Sequence, residues 1–555
     1  MHRFRSGLSG PLPWLLLLWL AALALALTGL GSVPLRDWDE AIVARVSLEI
    51  SRNSWPEALL PTYLGRSYLN KPPGMHLAIA GAIRLWQAVS GSAAGSLPPE
   101  WVVRLVPALG ASLLVPLLGL VQTRLRPGRP GAAVATAVIA LTLLPLARHG
   151  RLAMLDGTQL SAMALVWLGL LLSGRSARSA LGGGLLAGVG GSLLLLLKAP
   201  VALPVLAGAL LLRNLDRAWG PRSWRWLMGG LLLGLLPGLG WHGWHLAARG
   251  NDALVMWGMQ GMARLIRTVN GNGGGPLIPL TQLVAGGWPW LPLLPFGLAR
   301  AWRERKQTAG RWTLGLALLA CLLVFPLRTQ LPWYSLLLWP PFALACGPLL
   351  ADLATGRRSG RLCRGLGRIW AGLGALLLIA SGTLLLLPAK PVPAAALIAG
   401  AAGGLGLLLG GWRQGWPQPT LRAGRAIAVV ATGWILALAL LFASPLWNWE
   451  RNEQPSLTPA LELAAEKGSE PFHLLEGDEH SQRPSLHWYL DLSFPPLNED
   501  SARWPRQAFT LLVHSDPLST EARERCRLQQ TGESGWQLWT CQARAAERQG
   551  QACTA

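Results

Sequence analysis

Charge is what this chain has least of. Only 14% of its 555 residues are Asp, Glu, Lys or Arg, against 51% hydrophobic, whereas a soluble globular domain carries about a quarter charged residues. Strict alternation is missing too: the apolar residues stand in long uniform blocks of Leu, Ala, Gly and Trp, which does not suit the strands of a membrane barrel. Helices are what remains, because across roughly 30 Å of hydrocarbon a backbone must satisfy its own hydrogen bonds. Also absent are a phosphate-cradling glycine motif, a dinucleotide fingerprint and any metal-ligand spacing, which argues against a nucleotide-driven machine. The six cysteines say little. Cys321 and Cys346 fall in predicted helices and Cys363 in a loop, while Cys526 and Cys541 sit in the tail, where a disulfide is permitted if the tail lies outside the cytosol.

Acids are scarcer than bases, 27 against 49, for a net charge of +22. In a soluble protein that excess would suggest nucleic acid. Here its distribution points to a membrane. Apolar spans are expected at Pro13–Ser32, Val102–Val121, Ala132–His149, Thr158–Ser173, Leu181–Leu197, Pro200–Leu212, Trp226–Leu246, Thr281–Ala299, Thr313–Leu327, Pro332–Leu350, Ile369–Leu387, Ala394–Gly411 and Ala426–Ala443, which makes 13 crossings. With the N-terminus inside, the inside segments carry 24 Lys/Arg and only three acids, Asp216, Glu304 and Asp352, as the positive-inside rule requires. Anionic-lipid binding by these loops is the lesser reading. Arg3 and Arg5 before the first block and the triplet Ala24-Leu25-Ala26 resemble a signal peptide, but the triplet lies inside the apolar run, so an uncleaved anchor is expected.

Three segments stand apart from the spans. An outside loop over 33–90 holds a surface helix from Glu40 to Ser51 and an interfacial or re-entrant helix from Pro72 to Ser90, because a further crossing there would invert every later loop. A second outside loop, 247–279, contains Asn270-Gly271-Asn272-Gly273-Gly274-Gly275, either a mobile flap or a plain connector. From Ser444 to Ala555 the balance turns to 16 Asp/Glu against 10 Lys/Arg. Strand-like runs at Phe472–Leu475 and Phe509–Val513 and a helical stretch at Thr458–Lys467 predict a small extracytoplasmic α+β domain.

The few charges at span ends are the candidate site. An ionisable side chain near the membrane core costs at least about 2.5 kcal/mol, so retained ones invite a functional reading. Asp39 and Glu40, Lys71, Asp156, Lys198 and Arg328, the last beside Trp333 and Tyr334, all fall on the outside face in this topology. Each has a plain alternative: carboxylates favoured at a helix start, a snorkelling lysine, an aromatic belt. Their arrival from five separate segments on one face favours a site. A transporter or flippase would instead show half-sequence repeats and midplane charges, and a non-catalytic scaffold would tolerate their loss.

The residues Asp39-Glu40, Tyr68-Leu69-Asn70-Lys71-Pro72-Pro73, Leu155-Asp156, Leu197-Lys198, Trp288-Pro289-Trp290-Leu291 and Leu331-Pro332-Trp333-Tyr334 resemble the aminoarabinose transferase and protein O-mannosyltransferase superfamily over residues 13 to 350. The resemblance implies an all-α polytopic membrane protein of the GT-C type, with about 13 transmembrane helices in residues 1–443 and the small α+β domain in 444–555. It implies an inverting glycosyltransferase of the bacterial inner membrane, working at the periplasmic face. The donor would be a polyprenyl-phosphate-linked sugar and the acceptor a lipid or protein, with no nucleic acid involved. Asp39 matches the catalytic aspartate, with Glu40 beside it, and Asp156 a second aspartate; Lys71 and Tyr334 match phosphate contacts, and Arg264 is a looser match. Lys198 and Arg328 are further candidates for the donor phosphate. Four positions depart from the aminoarabinose subfamily: Asn70 and Gly261 stand where it places a metal-binding glutamate and histidine, and Ile42 and Val43 where it places arginine and tyrosine. A divalent metal stays possible although its usual ligands are replaced, and a sugar or acceptor other than aminoarabinose and lipid A is expected.

Overall fold

The computed structural model describes residues 10–216, 223–269, 273, 275–357, 360–388, 392–416, 423–453, 456–466, 471–498, 500, 504–515 and 518–543. They form two compact units, Met1–Val33 with Leu69–Ala82 and Pro99–Trp449, and Pro34–Tyr68 with Ile83–Pro98 and Glu450–Ala555.

The first unit is helical because its apolar blocks can satisfy their backbones only internally. Among the described residues six helices are long and apolar enough to cross a membrane, or up to eight if each of two bent pairs counts as one span. Shorter apolar helices lie at Leu12–Leu27, Asp156–Leu172 and Thr308–Val324. Two expected straight spans are bent. Ala132–His149 is split into Pro130–Thr142 and Leu144–Gly150, turned by 62°, and Thr281–Ala299 into Leu277–Gly286 and Leu291–Arg303, turned by 109°. Proline is the cause in both: Pro145 stands at the start of the second piece of one, and Pro289 and Pro292 interrupt the other. The larger bend is pinned by tryptophans, with Trp290 Nε1 donating to Thr142 Oγ1 at 2.7 Å and Trp370 Nε1 to the Pro289 carbonyl at 2.8 Å.

The spans expected at Leu181–Leu197 and Pro200–Leu212 lie in one helical element, Ala177–Leu215, broken at Lys198 (φ −150°, ψ 77°). A side-chain carbon on Gly191 would sit 3.1 Å from a methyl of Leu206. On a straight helix those positions would be about 22 Å apart. The element therefore doubles back as two antiparallel limbs with Lys198 at the tip. Small residues allow the first limb to lie close to the helix Trp224–Arg249: a Cβ on Gly184 would meet the Leu227 carbonyl at 2.2 Å, and one on Gly230 the Leu181 carbonyl at 2.2 Å.

At the basic-loop end, all three expected acids are neutralised. Glu304 is paired with Arg126 and with Arg300 (3.0 Å), Asp352 with Arg129 and with Arg300 (2.5 Å), and Asp216 with Arg311 (2.8 Å). Elsewhere in the unit three buried arginines that the span pattern concealed gather round Trp447. Arg104 donates to the Leu30 and Val33 carbonyls at 3.0 and 2.7 Å, Arg148 to the Trp447 carbonyl at 2.8 Å and Arg151 to the Thr28 carbonyl, while the Arg104 and Arg151 guanidinium carbons lie 5.1 and 4.2 Å from the Trp447 ring centre.

The second unit joins Pro34–Tyr68 and Ile83–Pro98 to the tail. A two-stranded hairpin, β1 (Thr62–Tyr63) and β2 (Arg66–Ser67), follows the helix Glu40–Arg52. The tail folds into a sheet of β3 (Phe472–Leu474), β4 (Phe509–His514), β5 (Cys526–Thr531) and β6 (Trp536–Cys541) in the order β3-β4-β6-β5, with β3 and β4 parallel and the other neighbours antiparallel. All six residues of β4 are buried because each face has its own core, Leu474, Leu512 and Leu538 on one side and Phe509, Leu511 and Val513 on the other. Cys526 and Cys541 form the disulfide across β5 and β6. The loop is tied to the tail by ion pairs, Arg45 to Asp491 at 2.5 Å and Arg483 to Asp37 at 2.9 Å. Of the glycine-rich run, Asn270, Gly271, Asn272 and Gly274 lie outside the described residues, as does Lys467 at the end of the helical stretch expected from Thr458.

Candidate active site

In the first unit a cavity of about 320 Å³ is lined by the polar residues Asp156, Gln159, Lys198, Arg264 and Tyr334 and by apolar ones such as Leu160, Val201, Leu265, Leu323 and Leu337. Local folding accounts for each polar group. Asp156 opens the helix Asp156–Leu172, where the helix dipole favours a carboxylate. Lys198 is delivered by the hairpin tip, and its Nζ lies 2.9 Å from Asp156 Oδ1 and 4.9 Å from the ring centre of Tyr334, close enough for a cation–π contact. Tyr334 sits in the short 3₁₀ segment Pro332–Leu338 and is buried. Arg264 belongs to the turn Ala263–Ile266, directly after a π-helical turn, Gly258–Met262, a deformation common at functional sites. Its Nη1 donates to Tyr334 Oη at 2.5 Å.

The charges do not balance. Asp156 offsets Lys198, but the guanidinium of Arg264 has a phenol as its partner, and its buried Nε has no acceptor among the described residues. A partly buried cation without a carboxylate is costly, and an anion completes the set. The apolar walls suit a hydrocarbon chain attached to that anion.

The remaining candidates fall elsewhere. Arg328 does not line the cavity; its side chain is exposed, while its backbone N–H and that of Thr329 donate to the Arg264 carbonyl at 3.0 and 3.1 Å, so this segment supports Arg264. Lys71 is partly buried, and three residues on Gly74 packs on the hairpin just before Lys198: a Cβ there would lie 2.7 Å from the Leu196 carbonyl. The Lys-Pro-Pro-Gly segment thus rests on the limb that carries Lys198.

Asp39 and Glu40 belong to the second unit, where the three neighbouring acids are sorted by their surroundings. Asp37 is buried and structural, accepting from Arg483 Nε at 2.9 Å and Ser485 N at 2.8 Å. Glu40 is fully buried and accepts from Arg36 N at 3.1 Å. Asp39, partly exposed, precedes the helix Glu40–Arg52. Between them Trp38 takes a left-handed conformation, φ 65°, strained for a bulky residue and typical of places where geometry outweighs comfort. Burial and then the charge of Asp39 push the Tyr68 phenol above its ordinary range, which keeps it protonated. Tyr68 belongs to the Lys-Pro motif, but its nearness to Asp39 has no signal in linear spacing.

The subfamily's metal positions do not fit a metal here. Asn70 offers only an amide, and at Gly261, on the cavity wall, even a Cβ would lie 3.0 Å from Pro200 Cβ, so no histidine fits without displacement. No step is assigned to a metal at these positions.

A many-helix unit with a cation-bearing, largely apolar cavity has the makings of a membrane site for a lipid with an anionic head. Comparison with known proteins agrees. The family profile of dolichyl-phosphate-mannose-protein mannosyltransferase matches residues 66–255. Undecaprenyl phosphate-α-4-amino-4-deoxy-L-arabinose arabinosyl transferase of Pseudomonas aeruginosa (strain UCBPP-PA14) is 31% identical over 439 residues, 75% of this chain and 73% of that protein. The second such transferase of Pseudomonas fluorescens (strain Pf0-1) is 31% identical over 367 residues, so the match spans 62% of either protein. The crystal structure of ArnT from Cupriavidus metallidurans bound to undecaprenyl phosphate shares the fold at a TM-score of 0.69 and 19% identity, covering 95% of this chain and 98% of that one. The chain belongs to the aminoarabinose transferase and protein O-mannosyltransferase superfamily, whose members are polyprenyl-phosphate-sugar-dependent membrane glycosyltransferases.

Proposed function

We propose that this chain moves a sugar from a polyprenyl-phosphate carrier to a lipid or protein acceptor at the outer face of the bacterial inner membrane, with inversion at the anomeric carbon. The observation that carries the reading is the cavity in which Arg264, Tyr334 and the Lys198–Asp156 pair meet apolar walls. In this reading the spans make 13 crossings, with the N-terminus inside and the 444–555 tail outside.

The acceptor oxygen attacks the anomeric carbon, its proton passes to Asp39, and the bond from that carbon to the phosphate oxygen breaks with its electron pair leaving on the carrier phosphate. A carboxylate suits the first task, since it takes a proton and steadies oxocarbenium-like charge. The leaving phosphate needs cations rather than an acid, which is the task of Lys71, Arg264, Lys198 and the Tyr334 hydroxyl. Asp156 positions Lys198, Glu40 holds the segment at Asp39, and Arg328 holds Arg264 through its backbone. The sugar or acceptor differs from aminoarabinose and lipid A, as Asn70, Gly261, Ile42 and Val43 suggest.

Purified protein reconstituted with an extracted polyprenyl-phosphate-sugar pool tests this. Asp39→Asn should cut transfer by about 1,000-fold while leaving folding and carrier-phosphate binding intact; full activity in that variant overturns the assignment.

A further inference from the structure

We infer that the sheet of the second unit carries a divalent transition-metal site formed by Asp478, His480 and His514, apart from the transferase machinery. The topology builds it. Because β3 and β4 run parallel, with Leu474 paired to Leu512, both strands end at the same sheet edge. The chain leaving β3 therefore brings Asp478 and His480 beside His514, the last residue of β4. One ligand atom from each of the three lies within 4.8 Å of the others, and the two imidazoles stack with centres 4.3 Å apart.

The hydrogen bonds leave two ways to satisfy these atoms, a shared proton or a metal ion. His514 Nε2 lies 2.8 Å from the Ser534 carbonyl, which can only accept, so Nε2 carries a hydrogen and Nδ1 is the lone-pair nitrogen of the neutral ring. That nitrogen faces Asp478 Oδ2 at 2.5 Å, and His480 Nδ1 lies 3.2 Å from the same oxygen. Unless a proton lies between them, three acceptors converge on one point. Ser515 Oγ, 2.9 Å from His514 Nδ1, adds a hydroxyl beside it. The other carboxylate oxygen is already held by the backbone N–H groups of His480 and Ser481 at 3.1 and 3.3 Å, which aims Oδ2 at the imidazoles. A ring fixed by donation from its second nitrogen to a carbonyl is the usual setting of a metal-binding histidine. Two imidazoles and a carboxylate favour zinc over calcium or magnesium, and three protein ligands leave a position for water. Asp478 and His480 are partly exposed, so an ion can enter from solvent.

The test uses full-length protein in detergent, stripped with a chelator and titrated with Zn²⁺ by calorimetry and with Co²⁺ by visible absorption. The expected result is one equivalent of Zn²⁺ bound with Kd below about 1 μM and ligand-field bands with Co²⁺. Both should be weakened at least about 100-fold in His514→Ala and in His480→Gln, the latter partly exposed and so benign for folding. Asp39→Asn should bind zinc as the parent does, which separates this site from the transferase reading. Zinc binding weaker than about 100 μM, as a simple proton-bridged Asp478–His514 ion pair would give, overturns the proposal, and so does unchanged binding in both histidine variants.

Discussion

Two of the places where the helical unit carries charge are built differently. At the basic-loop end Glu304 and Asp352 each meet two arginines, sharing Arg300, and Asp216 meets Arg311. At the cavity Asp156 meets Lys198, while among the described residues the side-chain partner of Arg264 is a phenol. In the first arrangement every acid has at least one arginine as its partner. In the second, the buried Nε of Arg264 has no acceptor among the described residues. What separates a structural charge cluster from a binding site is therefore the balance of partners, since both kinds of residue are equally rare in an apolar chain.

That comparison can be broken most directly at the closed end. Asp352→Ala strips two arginines of a partly buried partner and should cost about 3–5 kcal/mol of stability, read as a lowered thermal midpoint in detergent, with carrier-phosphate affinity per folded molecule unchanged. Arg264→Leu should do the reverse. It should weaken polyprenyl-phosphate binding by about 100-fold, or about 2.7 kcal/mol, in a fluorescence or calorimetric titration, and leave the thermal midpoint equal or higher. Loss of stability without loss of binding would make Arg264 a structural arginine like Arg300. Tyr334→Phe removes one hydroxyl and should cost binding about 10-fold. The smallest effect concerns salt: raising it from 0.1 to 1 M should shift the thermal midpoint little, because pairs this shielded are weakly screened, and a large shift would mean that the basic-loop network is solvent-borne.

The helical blocks were legible in the sequence because each is a long run of Leu, Ala and Gly, and the strands at Phe472 and Phe509 because their hydrophobic residues stand in short dense runs. Asp156 and Lys198 were legible as charges at the ends of those blocks, Tyr334 as a phenol at the same rim and Arg264 only through the family resemblance, and all four line one cavity. The two bends were not, although Pro145, Pro289 and Pro292 stand inside the expected spans, because proline is tolerated in membrane helices and does not announce an angle. Nor were Arg104, Arg148 and Arg151: their partners are carbonyls and the ring of Trp447, up to hundreds of residues away. The sorting of Asp37, Asp39 and Glu40 was equally hidden, since it depends on Arg483 and Ser485 far along the chain. Asp478, His480 and His514 escaped for the same reason, their meeting being made by a parallel strand pair.

The doubled-back element with Lys198 at its tip has a consequence for how this chain can vary in length. Each residue added to or removed from either limb would turn the tip by about 100° and swing the ammonium off Asp156, so natural variants should gain or lose residues in the connecting loops and almost never between Ala177 and Leu215.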